Sequence, residues 1–556
     1  MTVRPLIQLG IPKNRYATPL GHRKDTRLTL DTQDDLAGGI QDVSISSESP
    51  SIRITTAKIA RLPPEMLISI FVHLSRPKPG LFGRKALHFV RDLVSVTHVC
   101  RSWRRVATTA PELWVWITMT NPKAVKVFLE RSGAFPLKVD ILPGYKAEVD
   151  NLLLRAVIPH THRFRQLSVL TRRGAGSLSS ILFTKPAPLL ERLVIRHSLG
   201  DRPVLLFNDQ TPRLRELVMF SRGLWLQNQL ENLTSLHISL LHTTRTQSEF
   251  LPFFDMLRRC PVLEEMFILW NGWGTDLEPP QFPTVPLHRL RKLLLHCFRV
   301  ENIKYLLHTF DLKTNGIAIH LSGVNPGLEE NGTISDIQAV FPYDTSGRPA
   351  LSSSTKVELT FHTRPRTVII HAAGPGFSIR IDLRPHGSAG IDDMDYLYVN
   401  YTLHDVFSSV KELWVRGSCV DIKLDGIEHF TALEKLVFIG RGSGIARHFR
   451  QALSPRPSGI LPCPLLSSID CHWNATEMRE MFLLLHKRYS ADRLLERLRV
   501  PSCFIPVPTN VASCVKDIGN LDIPSGILPT YGMELPVFCF AEMEHEWWER
   551  WESRLN

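Results

Sequence analysis

No run of about 18 apolar residues occurs anywhere in the 556-residue sequence, so no segment is expected to span a membrane. Cysteine is sparse. The nine present are an odd number with no Cys-x-x-Cys pair, which argues against a disulfide or zinc framework and for reduced thiols in a cytoplasmic or nuclear protein. An apolar signal core is missing from the N-terminus. Residues 1–24 carry Lys and Arg without acids, as a mitochondrial presequence does, but Pro5, Gly10, Pro12 and Pro19 break the amphipathic helix that import needs. Catalytic and metal motifs are lacking too: no Gly-x-Ser-x-Gly elbow, no Walker loop, no kinase set and no His-Glu-x-x-His, while His73, His98, His160, His162 and His472 are dispersed. The expectation is therefore a protein with no chemistry of its own, no cofactor and no metal.

Hydrophobic residues at 43% and charged residues at 22% are ordinary for a soluble globular chain, and 39 prolines point to many short elements. The net charge of +12 is unevenly placed. Residues 58–120 hold ten Lys/Arg against Glu65, Asp92 and Glu112, an excess of seven, whereas residues 1–57 hold seven against six acids. Such a basic surface attracts acidic protein and nucleic acid alike.

Two phrases within 58–120 organise the chain. Pro63 and Pro64 suit the first turn of a helix, Glu65 suits its positive end, and Leu67, Ile70, Phe71 and Leu74 recur at i, i+3, i+4 and i+7. Phe89, Leu93, Val96, Cys100, Trp103 and Ala107 then step by three or four along one continuous helical face, closed by Pro111. A helical module this small has little core and needs a neighbour to lean on. Leu62-Pro63-x-Glu65-x-Leu67-x-x-Ile70-Phe71-x-x-Leu74, followed by Leu93-x-x-Val96-x-x-Val99-Cys100-x-x-Trp103 and Pro111-x-Leu113-Trp114, resembles an F-box. It departs from compact members in the long spacer from Ser75 to Arg91. The resemblance implies docking onto a Skp-type adaptor and, through it, a cullin, with Leu62, Pro63, Leu67, Ile70, Phe71, Leu74, Val99, Cys100, Trp103 and Trp114 forming the adaptor-facing surface or the core that holds it.

Beyond this module the sequence alternates helix and strand. Ala124 to Arg131 reads as a helix stopped by Gly133, with Leu137 to Ile141 as a half-buried strand; Val149, Leu152, Leu153, Ala156 and Val157 mark the next helix. The motif apolar-x-x-apolar-x-apolar then recurs around Leu193, Leu217, Leu236, Met266 and Leu293, and again around Leu413, Leu436, Ile469 and Leu498. Within the first group, spacings of 19 to 30 residues surround the 20–29-residue period of leucine-rich repeats. No such unit buries its core without neighbours, so the units must stack. The arrangement resembles the irregular leucine-rich repeats of many F-box proteins, including a large fungal group with this order of parts, although the Asn of the fuller repeat signature is mostly missing. Between about 311 and 401 the rhythm gives way to short strands, which degenerate repeats or a β-rich insertion would both explain.

Arg163, Arg165, Arg172 and Arg173 flank a predicted strand, where such groups either bind phosphate or carboxylate or stay solvated. The glycines around Gly440, Gly442 and Gly444 have the wrong spacing for a dinucleotide loop.

The resulting expectation is an α/β solenoid. It comprises a disordered arm (1–57), a three-helix F-box (58–120), leucine-rich-repeat-like units on a parallel sheet (121–310 and 402–540), an irregular or β-rich segment (311–401) and an acidic, Trp-rich cap (541–556). The expected function is that of a substrate receptor of a Skp–cullin–F-box ubiquitin ligase binding an unknown protein, with nucleic acid disfavoured as partner. A basic-surface nucleic-acid or phospho-ligand binder, and an F-box scaffold acting without cullin, are the alternatives.

Overall fold

The computed structural model describes residues 62–75, 87–118, 122–141, 147–170, 182–196, 205–221, 226–240, 251–270, 284–296, 300–312, 317–324, 355–363, 366–374, 377–383, 409–417, 430–440, 443–457, 461–472 and 474–521. The arm expected over 1–57 and the cap expected over 541–556 lie outside them. The chain divides into two compact units, Met1–Leu62 and Pro63–Asn556, and everything below concerns the second unless stated.

Three helices come first: α1 (Pro64–Ser75), α2 (Leu87–Val99) and α3 (Arg101–Thr109). The continuous helix expected through Cys100 is broken there. Cys100 is extended at φ −157° and ψ 170°, and its Sγ accepts the Trp103 N–H at 3.4 Å, so a residue expected on a helical face instead caps the next helix.

Strand β1 (Trp116–Thr118) opens the sheet, followed by α4 (Pro122–Arg131), β2 (Leu137–Ile141), α5 (Ala147–Val157) and β3 (Phe164–Leu170). Gly133 ends the α4 turn at φ +54°, a conformation that costs glycine nothing. On α5 the buried stripe is Leu153, Leu154 and Val157, while Leu152, expected inside, is 56% exposed. Next come β4 (Arg192–Arg196), β5 (Glu216–Ser221), β6 (Ser235–Leu240), α6 (Leu251–Arg258), β7 (Glu265–Trp270), β8 (Val285–Pro286), β9 (Lys292–His296), α7 (Val300–Thr309), β10 (Phe310–Asp311) and β11 (Ile317–Val324). The remainder is β12 (Lys356–Thr363), β13 (Arg366–Gly374), β14 (Phe377–Leu383), β15 (Glu412–Gly417), β16 (Lys435–Gly440), α8 (Ser443–Leu453), β17 (Ser468–His472), α9 (Ala475–Tyr489), β18 (Leu495–Val500), α10 (Thr509–Ala512) and β19 (Val515–Asn520).

Among the described residues seventeen strands form one sheet of mixed α/β architecture, with β8 and β10 paired separately. From β1 to β7, then β9 and β11, each strand pairs in parallel with the next. The ladder continues from β11 to β14, β13, β12 and β15, and on in parallel to β19. Among the described strands of this sheet only β13 runs against its neighbours, and two-residue connections join it to β12 and β14.

The register aligns the motif centres read from the sequence and adds Val139 and Leu167 to them. Val139, Leu167, Leu193, Leu217, Leu236, Met266 and Leu293 stand in one row, and Leu413, Leu436, Ile469 and Leu498 in another. All eleven are at most 1% exposed. Side chains alternate across a strand, so these rows form the core under the helices and return segments. Leu190, Leu214, Leu233, Leu263 and Leu290, each at most 4% exposed, turn inward where the chain enters the strands.

Candidate functional site

The helical module divides its apolar residues between two jobs. On α1, Leu67 and Phe71 are 2% and 0% exposed, and Phe71 meets the half-buried Trp103 ring at 4.9 Å. Leu93, Val96 and Ala107 complete that core. Met66, Ile70 and Leu74 repeat every four residues on α1 and stay 53%, 38% and 55% exposed. Positions four apart lie one above another on a helix, so these three make an outward apolar row. Val94 and Val99 of α2 are exposed as well, and Pro63 and Cys100 are exposed beside these helices.

The expected site residues thus separate. Leu67, Phe71 and Trp114 are core, Trp103 is half-buried, and Pro63, Ile70, Leu74, Val99 and Cys100 face outward. Leu62, the one described residue of the first unit, is half-buried. Met66 and Val94 had gone unnoticed in the sequence, because periodicity marks the buried face and is silent about apolar residues off it.

Trp114 couples this module to the sheet. Its Nε1 donates to the Ala107 carbonyl at 2.8 Å, its ring meets Phe128 of α4 edge-on at 5.0 Å, and the Arg131 guanidinium lies 4.3 Å from the ring centre. Arg104 Nε donates to the Thr97 carbonyl at 2.9 Å and fastens α3 back onto α2. Arg91, Arg101, Arg104 and Arg105 keep the exposed side of α2 and α3 basic.

Two of the four arginines weighed as a ligand site, Arg163 and Arg165, are engaged inside the chain. Arg163 is 6% exposed and donates to the Phe135 carbonyl and to Ser132 Oγ, holding the turn after α4. Arg165 Nε pairs with Glu191 at 2.8 Å. Arg172 and Arg173 lie outside the described residues.

Strand register assembles two polar clusters on the sheet face opposite the core row, each from residues more than 20 positions apart. Trp116 Nε1 donates to Asp140 Oδ2 at 2.8 Å, with the Lys138 ammonium 5.1 Å from the indole centre. Burial pushes Asp140 above the ordinary carboxylate range despite the Trp116 N–H and the charges of Arg192 and Lys138. In the second cluster Lys435 Nζ lies 3.0 Å from Glu412 Oε1, 3.7 Å from Asp470 Oδ2 and 5.2 Å from the Trp414 ring centre. Burial works against ionised Glu412, but Lys435, the Trp414 N–H and Lys356 outweigh it and hold the carboxyl below its ordinary value. Asp470, 4% exposed, is pushed up because burial exceeds the pull of Lys435, Arg499 and Arg497. Both clusters neutralise themselves within the chain.

Among the described residues, no group of three or more His, Cys, Asp or Glu side chains could hold a metal ion, and no helix is long and apolar enough to cross a membrane. A family model described as F-box-like matches residues 59–120. That segment is an F-box-like domain. No curated protein matches the chain. The F-box-like domain is therefore the module of α1 to α3 with its Trp114 anchor, and its outward surface is the row on α1 with Val94 and Val99.

Proposed function

We propose that this protein is the substrate receptor of a Skp–cullin–F-box ubiquitin ligase and works in the cytoplasm or nucleus. Its F-box-like domain docks a Skp-type adaptor through Met66, Ile70, Leu74, Val94 and Val99. The rest of the chain is an irregular leucine-rich-repeat solenoid, of the kind the fungal resemblance implies, and holds a protein substrate. The protein supplies no acid, base or nucleophile. It accelerates ubiquitin transfer by holding a substrate lysine near the charged transfer enzyme, which raises effective concentration.

The observation that carries the adaptor reading is the exposed apolar row on a domain that matches the F-box-like family. Isolated apolar residues on a surface are ordinary, but three stacked on one short helix, over a core already filled by Leu67 and Phe71, are the form of a helix-docking face. The surrounding arginines suit an acidic partner. Support for the repeat reading comes from one strand per motif, centres in register, and a spacing near that of known repeats.

Co-purification with a Skp-type adaptor tests the reading, comparing wild type with Ile70→Asp/Leu74→Asp. Both positions are exposed, so circular dichroism should show an unchanged fold while adaptor capture is lost. Wild-type protein that captures no adaptor overturns the proposal. Capture of adaptor without cullin moves the conclusion to a scaffold.

A further inference from the structure

The cluster around Lys435 neutralises itself, but the sheet face beside it does not. Side chains of β18 alternate: Leu498 and Val500 are fully buried, whereas Arg497 and Arg499 stand on the opposite face and are exposed. Arg497 Nε lies 3.7 Å from Asp517 Oδ2, and with side chains 54% and 67% exposed that pair contributes little. Arg499 stands between Asp470 of β17 and Gly519 of β19 in the register. Neither neutralises it. Asp470 is 4% exposed, turns Oδ2 to Lys435 at 3.7 Å and is held toward its neutral form by burial. Gly519 has no side chain, and a Cβ there would meet Arg499 Cγ at 3.7 Å, so the arginine stem lies across bare backbone. Among the described residues Arg499 has no ion-pair partner.

We propose that Arg497 and Arg499 are a contact point for the protein substrate and take an acidic segment in extended conformation, with carboxylates at alternate positions. Two residues along a strand span about 6.6 Å, and two along any extended chain span nearly the same. A segment laid along β18 therefore brings successive alternate carboxylates to successive guanidinium groups, each able to make two parallel N–H···O bonds. The same segment wound as a helix turns those carboxylates to different faces. The half-buried Ser468 flanks Arg497 and Gly519 flanks Arg499, so small residues leave a shallow floor for the segment.

This inference rests on the substrate-receptor reading and names the chemistry of the substrate; the adaptor plays no part in it. The probe is a fluorescent peptide of alternating Asp and Ser, titrated into the full chain at about 50 mM NaCl, where surface charge is weakly screened. Arg497→Ala/Arg499→Ala should weaken its binding at least about tenfold, and Arg101→Ala/Arg105→Ala, which removes equal charge from the F-box-like domain, less than about twofold. A peptide with as many Asp at every third position presents one carboxylate to the pair and should bind severalfold more weakly. All four arginines are exposed, so circular dichroism of the variants should match wild type. Equal affinity of wild type and the 497/499 variant, equal loss in both variants, or no peptide binding overturns the inference. A single-stranded oligonucleotide of equal charge that binds more tightly than the peptide, and loses as much in the 497/499 variant, overturns it in favour of phosphate. Adaptor capture by the same preparation keeps the two readings apart: capture without peptide binding removes this inference and leaves the adaptor reading standing.

Discussion

At the scale of single residues, neighbours on α1 have opposite fates. Phe71 is fully buried against Trp103, so Phe71→Ala should lower unfolding free energy by about 3–5 kcal/mol in a denaturant titration. One position earlier, Ile70 is 38% exposed. Ile70→Asp/Leu74→Asp should leave that titration unchanged and weaken adaptor binding at least about thirtyfold by calorimetry, a loss of ~2 kcal/mol. Glu412 supplies a pH signature. Its carboxyl is held below the ordinary 4.5, so its contribution is complete above that value and is lost as pH falls through the lowered one. Glu412→Gln should cost about 1–3 kcal/mol at neutral pH, and the gap from wild type should close on acidification. Asp470 behaves oppositely, since its ionisation in the fold is disfavoured, and Asp470→Asn should be tolerated at pH 7.

At the scale of elements, α9 shows how a local signal fixes a boundary. Asn474 Oδ1 accepts the Thr476 and Glu477 N–H groups, and Glu477 Oε2 accepts the Asn474 N–H at 3.1 Å, so both ends of the capping box are closed. Asn474→Ala should cost about 1 kcal/mol, visible as a lower urea midpoint. The helix from Ala124 to Arg131 and the strand Leu137–Ile141 were legible in the sequence because periodicity and stop signals agree. The break at Cys100 was not, because Leu93, Val96, Cys100 and Trp103 keep helical spacing across it. Strand faces were partly hidden too. Val194, Val218, Leu294 and Val437 lie opposite the core row yet are at most 5% exposed, so the strands read as runs and not as alternation. The exposed row on the F-box-like domain and the Trp–carboxylate–Lys clusters depend on register and packing, which no spacing rule encodes.

At the scale of the whole molecule, charge and connectivity act over longer distances. The excess of seven positive charges within 58–120 should make association with an acidic adaptor fast at low salt. Raising NaCl from about 50 to 300 mM should cut the association rate severalfold in stopped flow and leave dissociation nearly unchanged. The parallel ladder itself was foreshadowed by the motif centres, but the passage from β11 to β15 was not, since β12, β13 and β14 enter the sheet in reverse order. That passage imposes an arithmetic of direction. β11 and β15 point the same way, and the strands between them alternate, so their number must be odd. A hairpin can be gained or lost at this point, two strands together, without disturbing either half. A single added strand would turn every following unit end for end and set its leucines against the wrong neighbours. Length changes tolerated here should therefore come in steps of one hairpin.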